Sequence, residues 1–233
     1  MPTSTPITVS IVTVCFAPGE TADWFTASEK VDEHLGANGT PQRRYRVRHR
    51  RLVGAFTRWF GYQLVDAARR FGSFIFAAGG RISRLDLTAT VTQANNDAIT
   101  RHRAWKRHIA DRTPVAKPWE FFLAQHKQEP KKISWEEARR RFESQQRVLA
   151  MLAHTGVHTF DPYELEAYQA GENTYAALHW RMALVGDALI TAEGKLLQPS
   201  GPNLADRLRY LRDACAYVRG LRRNHYMCAV AIS

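Results

Sequence analysis

The feature that most constrains the fold is an uncharged apolar stretch at the far end of the chain, Tyr226-Met-Cys-Ala-Val-Ala-Ile232. It reads as a strand, and a lone strand leaves its hydrogen-bonding edges open unless it joins a sheet. The other strand-like segments lie near the start. Residues 7–16, ITVSIVTVCF, are β-branched and partly alternating, which predicts a strand with at least one buried face. Residues 73–78 and 82–92 flank Gly79-Gly80, a pair that supplies the φ > 0 of a tight hairpin turn. The expectation is therefore an α+β fold. A small antiparallel N-terminal sheet is completed by a C-terminal strand, with a large helical block inserted between. The corresponding division is an α+β part at 1–94, the helical block at 95–220 and the returning strand at 221–233.

Helical spacing fills the intervals. Trp24, Ser28, Val31 and Leu35 recur as one stripe that Gly36 can stop. Leu52, Phe56, Phe60 and Leu64, continued by Ala67 and Phe71, predict an amphipathic helix ending near Gly72. Ala98, His102, Trp105 and Ile109 mark another, closed by Thr113-Pro114, and a short helix is expected between Pro118 and Pro130. Ser134-Trp-Glu-Glu137 is a capping-box pattern opening a helix through Ala138, Phe142, Leu149 and Leu152 to Gly156. Asp161-Pro162 caps the next. Tyr175 to Leu189 and Leu204 to Val218 complete the block.

Charge decides the function class. The chain carries 33 Lys and Arg against 22 Asp and Glu, a net +11, and 26 of the cations are Arg. Residues 1–42 hold one cation and five anions, residues 43–112 sixteen and four, and residues 113–233 sixteen and thirteen. Essentially the whole excess thus falls in one 70-residue segment, the pattern of a phosphate-binding surface. Within it, Arg43, Arg44, Arg46, Arg48, Arg50 and Arg51 surround Tyr45, Val47 and His49. Read with period two, Arg44, Arg46, Arg48 and Arg50 share one side and Tyr45, Val47 and His49 the other, which predicts an extended ribbon. Arginine forks onto phosphate and stacks on bases, so this composition suits a nucleic-acid backbone. Tyr45 and Trp59 are candidates for stacking on unpaired bases. Arg58 and Arg84 extend the candidate surface, and so do Arg101, Arg103, Lys106, Arg107 and Arg112 on the following helix. Arg222 and Arg223 stand beside the returning strand. Arg139, Arg140 and Arg141 are surrounded by Glu136, Glu137 and Glu143, which predicts ion pairs within one helix.

The sequence offers little for other chemistry. His154, His158 and Asp161 resemble a metal cluster only in spacing, because Gly156 interrupts the helix, and no metal or cofactor is expected. Asp187, Glu193 and Lys195 follow an acid–Glu-x-Lys order, but Ala192-Glu-Gly194 reads as a turn. No Walker-type phosphate loop occurs. Cys15, Cys215 and Cys228 have no metal-knuckle spacing and read as reduced core thiols. The longest apolar runs are too short to span a bilayer, and no cation precedes the first of them as in a signal peptide, so a cytoplasmic protein without membrane contact is expected. Two short stretches resemble known families. Val9-Ser-Ile-Val-Thr-Val-Cys-Phe16 resembles the opening strand of family-two inverting glycosyltransferases, although no Asp-x-Asp follows it. Arg81-Ile-Ser-Arg-Leu-Asp-Leu87 resembles a strand of rolling-circle replication initiators, without their His-x-His pair or a matching tyrosine, which implies compatibility with a mobile-element protein.

The expected function is therefore nucleic-acid binding, with RNA preferred over DNA, as a subunit of a ribonucleoprotein or mobile-element complex. The helical block would offer a surface for protein partners. One alternative is a metal-independent endoribonuclease using His49, Tyr45 or His225 as acid or base. Another is a nucleocapsid-type structural protein.

Overall fold

A computed structural model describes residues 10–48, 63–70, 73–155, 161–201 and 203–232 of the chain. Its fold is mixed α and β, with eight strands in one sheet and eight helices among the described residues. The strands are β1 (Ile11–Phe16), β2 (Gly39–Pro41), β3 (Tyr45–Arg46), β4 (Leu64–Arg70), β5 (Ser73–Arg81), β6 (Ala188–Ile190), β7 (Leu196–Leu197) and β8 (Tyr226–Ile232). Their order is β3-β5-β8-β1-β6-β7, with β4 on the far edge of β5 and β2 against β8. The returning strand does join the N-terminal strands, and it does so centrally. One edge of β8 runs antiparallel along all of β1, and the other is shared between β5, at Tyr226 to Cys228, and β2, at Val230 to Ile232. The sheet is larger and more mixed than expected, because β6 and β7 arise inside the stretch read as helical and β6 pairs with β1 in parallel.

Helix α1 (Trp24–Leu35) covers this sheet. Asp23 caps it by accepting from the Thr26 N–H at 2.8 Å, and Gly36 ends it in the left-handed conformation, donating to the Asp32 carbonyl. Ala27 and Val31 bury against Val12, Val14 and Phe16 of β1, Cys228 and Val230 of β8, and Ala188 and Ile190 of β6. This apolar layer is the core of the first compact unit, formed by residues 1–94, 180–201 and 206–233. Residues 180–201 and 206–220, read from sequence as part of the helical block, belong to this unit.

The second unit comprises residues 95–179 and 202–205. It holds the second half of α2 (Leu87–His108), then α3 (Trp119–Gln128), α4 (Trp135–Glu143), α5 (Gln146–Thr155), α6 (Pro162–Gln169) and the first half of α7 (Glu172–Val185). The remaining helix, α8 (Leu204–Gly220), lies almost wholly in the first unit. Ser134 caps α4 as its capping box predicts, and Asp161 caps α6. The single helix expected from Ser134 to Gly156 is divided at Ser144 and Gln145. There the Gln145 side chain turns to the Lys117 N–H and carbonyl instead.

Three expectations fail. Residues 64–70 form a strand of a β-hairpin, not the end of a helix; the residues from 52 to 62 lie outside the described ones. Residues 82–92 are a 3-10 turn followed by α2, not a strand. The Asp86 carboxylate caps α2 through the Ala89 N–H, and the Thr90 hydroxyl donates back to the Asp86 carbonyl, so the alternating threonines are satisfied in a helix. Gly79-Gly80 is not a turn but part of β5. A Cβ at Gly79 would stand 2.0 Å from the Met227 carbonyl oxygen and 2.6 Å from Cys228 Cα, while Gly80 has φ +146°. Gly79 lets β5 and β8 approach each other, and Gly80, where a Cβ would stand 2.5 Å from the Gln63 carbonyl oxygen, lets β5 lie close against the start of β4.

Gly79→Ala is therefore expected to destabilise the protein by ~1–3 kcal/mol through forced separation of β5 and β8. Gly220→Ala, with open space and ordinary φ, should leave stability unchanged or slightly raised. Urea midpoints at constant m-value distinguish the two.

Candidate nucleic-acid interface

Of the arginine ribbon, residues 43–48 are described; they are extended, as their period predicts, and both of their backbone edges are occupied. On the β5 side, Arg44 N–H donates to Ala77 O at 3.1 Å and Val47 N–H to Ile75 O at 3.0 Å. On the other side, Arg48 N–H donates to Arg84 O at 2.9 Å, Asp86 N–H to Arg46 O at 2.7 Å, and Arg46 N–H to the Thr90 hydroxyl at 3.0 Å. A ribbon tied along both edges holds its side chains in fixed directions.

Alternation then separates the residues. Tyr45 is fully buried: its hydroxyl donates to Leu184 O at 3.0 Å and lies 3.0 Å from the Thr13 hydroxyl, and burial pushes its pKa up to about 12. It can neither stack on a base nor act as an acid or base, which corrects both roles expected of it. Arg44 is half-buried and donates to the Met182 carbonyl. Arg43 is exposed but bound to Asp66 at 2.6 Å, and that contact raises its pKa. Asp66 itself has φ +43°, inside the left-handed region that disfavours a non-glycine residue.

Arg46 and Arg48 are exposed, and no carboxylate among the described residues lies within ion-pair distance of either. The Arg46 guanidinium sits 5.6 Å from the ring centre of Phe76, its cross-strand partner, and its Nε donates to Gln93 at 2.8 Å. Arg69 makes the same arrangement 4.5 Å from Phe74, its own cross-strand partner. Sequence reasoning missed this second pair because residues 64–71 were read as helix. Each phenylalanine braces the guanidinium of an exposed arginine.

The remaining candidates are dispersed. Arg84 is half-buried with its Nε on Gln63 at 2.7 Å. Arg222 and Arg223 are exposed in a loop tied to the 3-10 turn by Ser83 N–H to Arg223 O and Ile82 N–H to His225 O. His225 is half-buried, with no hydrogen-bond partner for its Nδ1 among the described residues. His49, Arg50, Arg51, Arg58 and Trp59 lie outside the described residues.

In the second unit the basic helix is partly neutralised by its own carboxylates. Arg101 faces Glu164 at 3.5 Å, and Arg103 binds Glu172 through Nε at 2.9 Å and NH2 at 3.1 Å. Glu164 also meets the Tyr175 hydroxyl at 2.7 Å and His179 Nε2 at 3.3 Å. Burial pulls its carboxyl upward, but those contacts hold it below the ordinary carboxylate range. Lys106, Arg107 and Arg112 remain exposed without a carboxylate among the described residues. Arg139, Arg140 and Arg141 pair with Glu137 and Glu143 on their own helix. The cation excess consequently divides unevenly. The first unit holds 20 cations and 11 anions, the second 13 and 11.

No group of three metal-ligating side chains occurs among the described residues. His154 stacks on His108 at 5.7 Å between ring centres, Asp161 serves as a helix cap, and His158 lies outside the described residues. Asp187 is buried against Arg207 and accepts from the N–H groups of Ser10 and Ile11, so it is already engaged. Comparison with known protein families, with curated proteins and with solved structures gives no match.

Two predictions follow from these environments. Tyr45→Phe strands its buried partners and should cost ~1–3 kcal/mol in chemical unfolding, while polyanion affinity is unchanged. Glu166 in α6 has its pKa raised from 4.5 to about 7, chiefly by burial and then by Glu120 and Asp161, against the N–H groups of Trp119 and Leu204. The folded state therefore holds this proton more tightly than the unfolded chain, and the associated stability declines as pH rises from about 4.5 to about 7. Thermal melts of Glu166→Gln should lose that component of the pH dependence and gain stability at pH above 7.

Proposed function

We propose that the chain binds single-stranded or irregular RNA along the arginine ribbon of its sheet unit. The observation that carries this reading is the pair Arg46 and Arg48. They are exposed and free of described carboxylates, and they project from a backbone whose hydrogen bonds are already made. Alternate residues of a strand stand about 6.7 Å apart, a spacing that lets successive side chains meet successive phosphates of an extended strand. The Arg46–Phe76 and Arg69–Phe74 stacks add planar surfaces on which a splayed base can continue the stack. The net +9 of this unit supplies the long-range attraction. DNA is the less favoured ligand, because the ribbon presents planar stacking groups and no helix-turn-helix signature accompanies it.

The reading places the chain in the cytoplasm as a subunit of a ribonucleoprotein or mobile-element complex. Its three cysteines are buried thiols, with burial pushing Cys15 and Cys228 up to about 12 and Cys215 up to about 11, which suits a reducing compartment. Among the described residues no helix is long and apolar enough to cross a membrane.

Fluorescence anisotropy with labelled single-stranded RNA, duplex RNA and duplex DNA tests the proposal. With about four phosphates engaged, log K should fall with log[salt] at a slope near −3 on single strands, and Arg46→Ala/Arg48→Ala should flatten it by ~1.4. A slope of zero, or a double variant that binds like the parent, overturns it.

A further inference from the structure

We propose that the outward face of α1 is a docking surface for the arginine ribbon of a second copy of this chain. Helix α1 buries Ala27 and Val31, and its opposite side carries Phe25, Glu29, Asp32 and Glu33 at i, i+4, i+7 and i+8. Phe25 is 59% exposed and Trp24 49%, their rings edge to face at 6.0 Å. They are the exposed large apolar side chains of this unit among the described residues. The other nearby acids are used locally, Asp23 as the helix cap and Glu20 on Lys30 at 2.9 Å. Glu29, Asp32 and Glu33 are exposed and meet no cation among the described residues. The first 42 residues carry a net −4 in a chain of +11.

The exposed Phe25 ring, one turn from the unpaired Glu29 and edge to face with Trp24, matches a partner bearing planar cations, since arginine both stacks on an aromatic face and forks onto a carboxylate. The ribbon has that chemistry. Its spacing also fits: Glu29 and Glu33 lie about 6 Å apart along the helix axis, and Arg46 and Arg48 about 6.7 Å apart along the strand. Because the two patches differ, each contact joins α1 of one copy to the ribbon of another. The aromatic pair anchors the contact, and the charges set its register and salt sensitivity. This inference shares the ribbon with the RNA reading, so RNA and a second copy compete for it.

Sedimentation velocity over a hundredfold range of protein concentration tests the contact. At low salt the mean mass should rise with concentration, and at high salt it should return to that of one copy. The triple variant E29K/D32K/E33K and the double variant R46E/R48E should each remain single alone. An equimolar mixture should associate, because each reversed patch then meets its opposite. Phe25→Ser should weaken association at least tenfold. A parent protein that stays single throughout overturns the proposal. So does either charge-reversed variant that still associates alone, or a mixture that fails to associate; the last outcome points to a basic partner of another kind. RNA affinity of E29K/D32K/E33K, measured in parallel, should be retained. Its retention or loss judges the RNA reading independently of self-association.

Discussion

The sheet unit depends on one buried ion pair. Asp187 and Arg207 are both almost wholly removed from solvent. The carboxylate of Asp187 also accepts from the Ser10 and Ile11 N–H groups, and its own N–H donates to the Ile11 carbonyl at 2.7 Å. One side chain thus joins the start of β1, the start of β6 and the first turns of α8. Gly186 beside it has φ +71°, and a Cβ there would stand 2.5 Å from Ile11 O, so the chain can enter β6 in parallel with β1 only through a residue without a side chain. Removing one member of a buried pair strands a charge and costs ~3–5 kcal/mol, whereas the intact pair chiefly specifies which segments meet. Tyr210 reinforces the junction by donating to the Val185 and Gly186 carbonyls.

Around that junction the molecule keeps its cations in different states. Arg207 is structural, Arg44 is half-buried on a carbonyl, and Arg43, Arg101 and Arg103 are held by carboxylates. Arg46, Arg48 and Arg69 are turned outward, two of them braced by phenylalanine. The count of 33 cationic residues therefore overstates how many a polyanionic ligand would meet. What matters is the smaller set of guanidiniums that are oriented and not already satisfied.

Much of this architecture was legible in the residues. An uncharged strand at 226–232 had to find a sheet, and alternation at 43–48 separated Tyr45 from its arginines. Local periodicity failed where tertiary contacts outweighed it. The spacing of Ala67 and Leu64 is compatible with a helix, yet β5 claims residues 64–70 by pairing. The threonines after Leu85 alternate like a strand, yet Asp86 caps a helix there. The neutralisation of Arg101 and Arg103 could not be read from local pattern at all, because Glu164 and Glu172 lie 63 and 69 residues away. The inward course of Tyr45 was implied by its own period, but its exposed neighbours made it resemble a stacking residue.

The central position of β8 has a consequence for how the chain reaches this structure. Its register with β1 joins residues 210 to 220 positions apart, and β5 and β2 also complete their pairing on it. During synthesis β1, β2 and β5 emerge long before their shared neighbour, so the sheet cannot close until residues 226–232 have been translated. Closure of such a long loop makes this a slow, high-contact-order step. Until then the nascent chain presents open strand edges, the sites at which a sheet can pair wrongly.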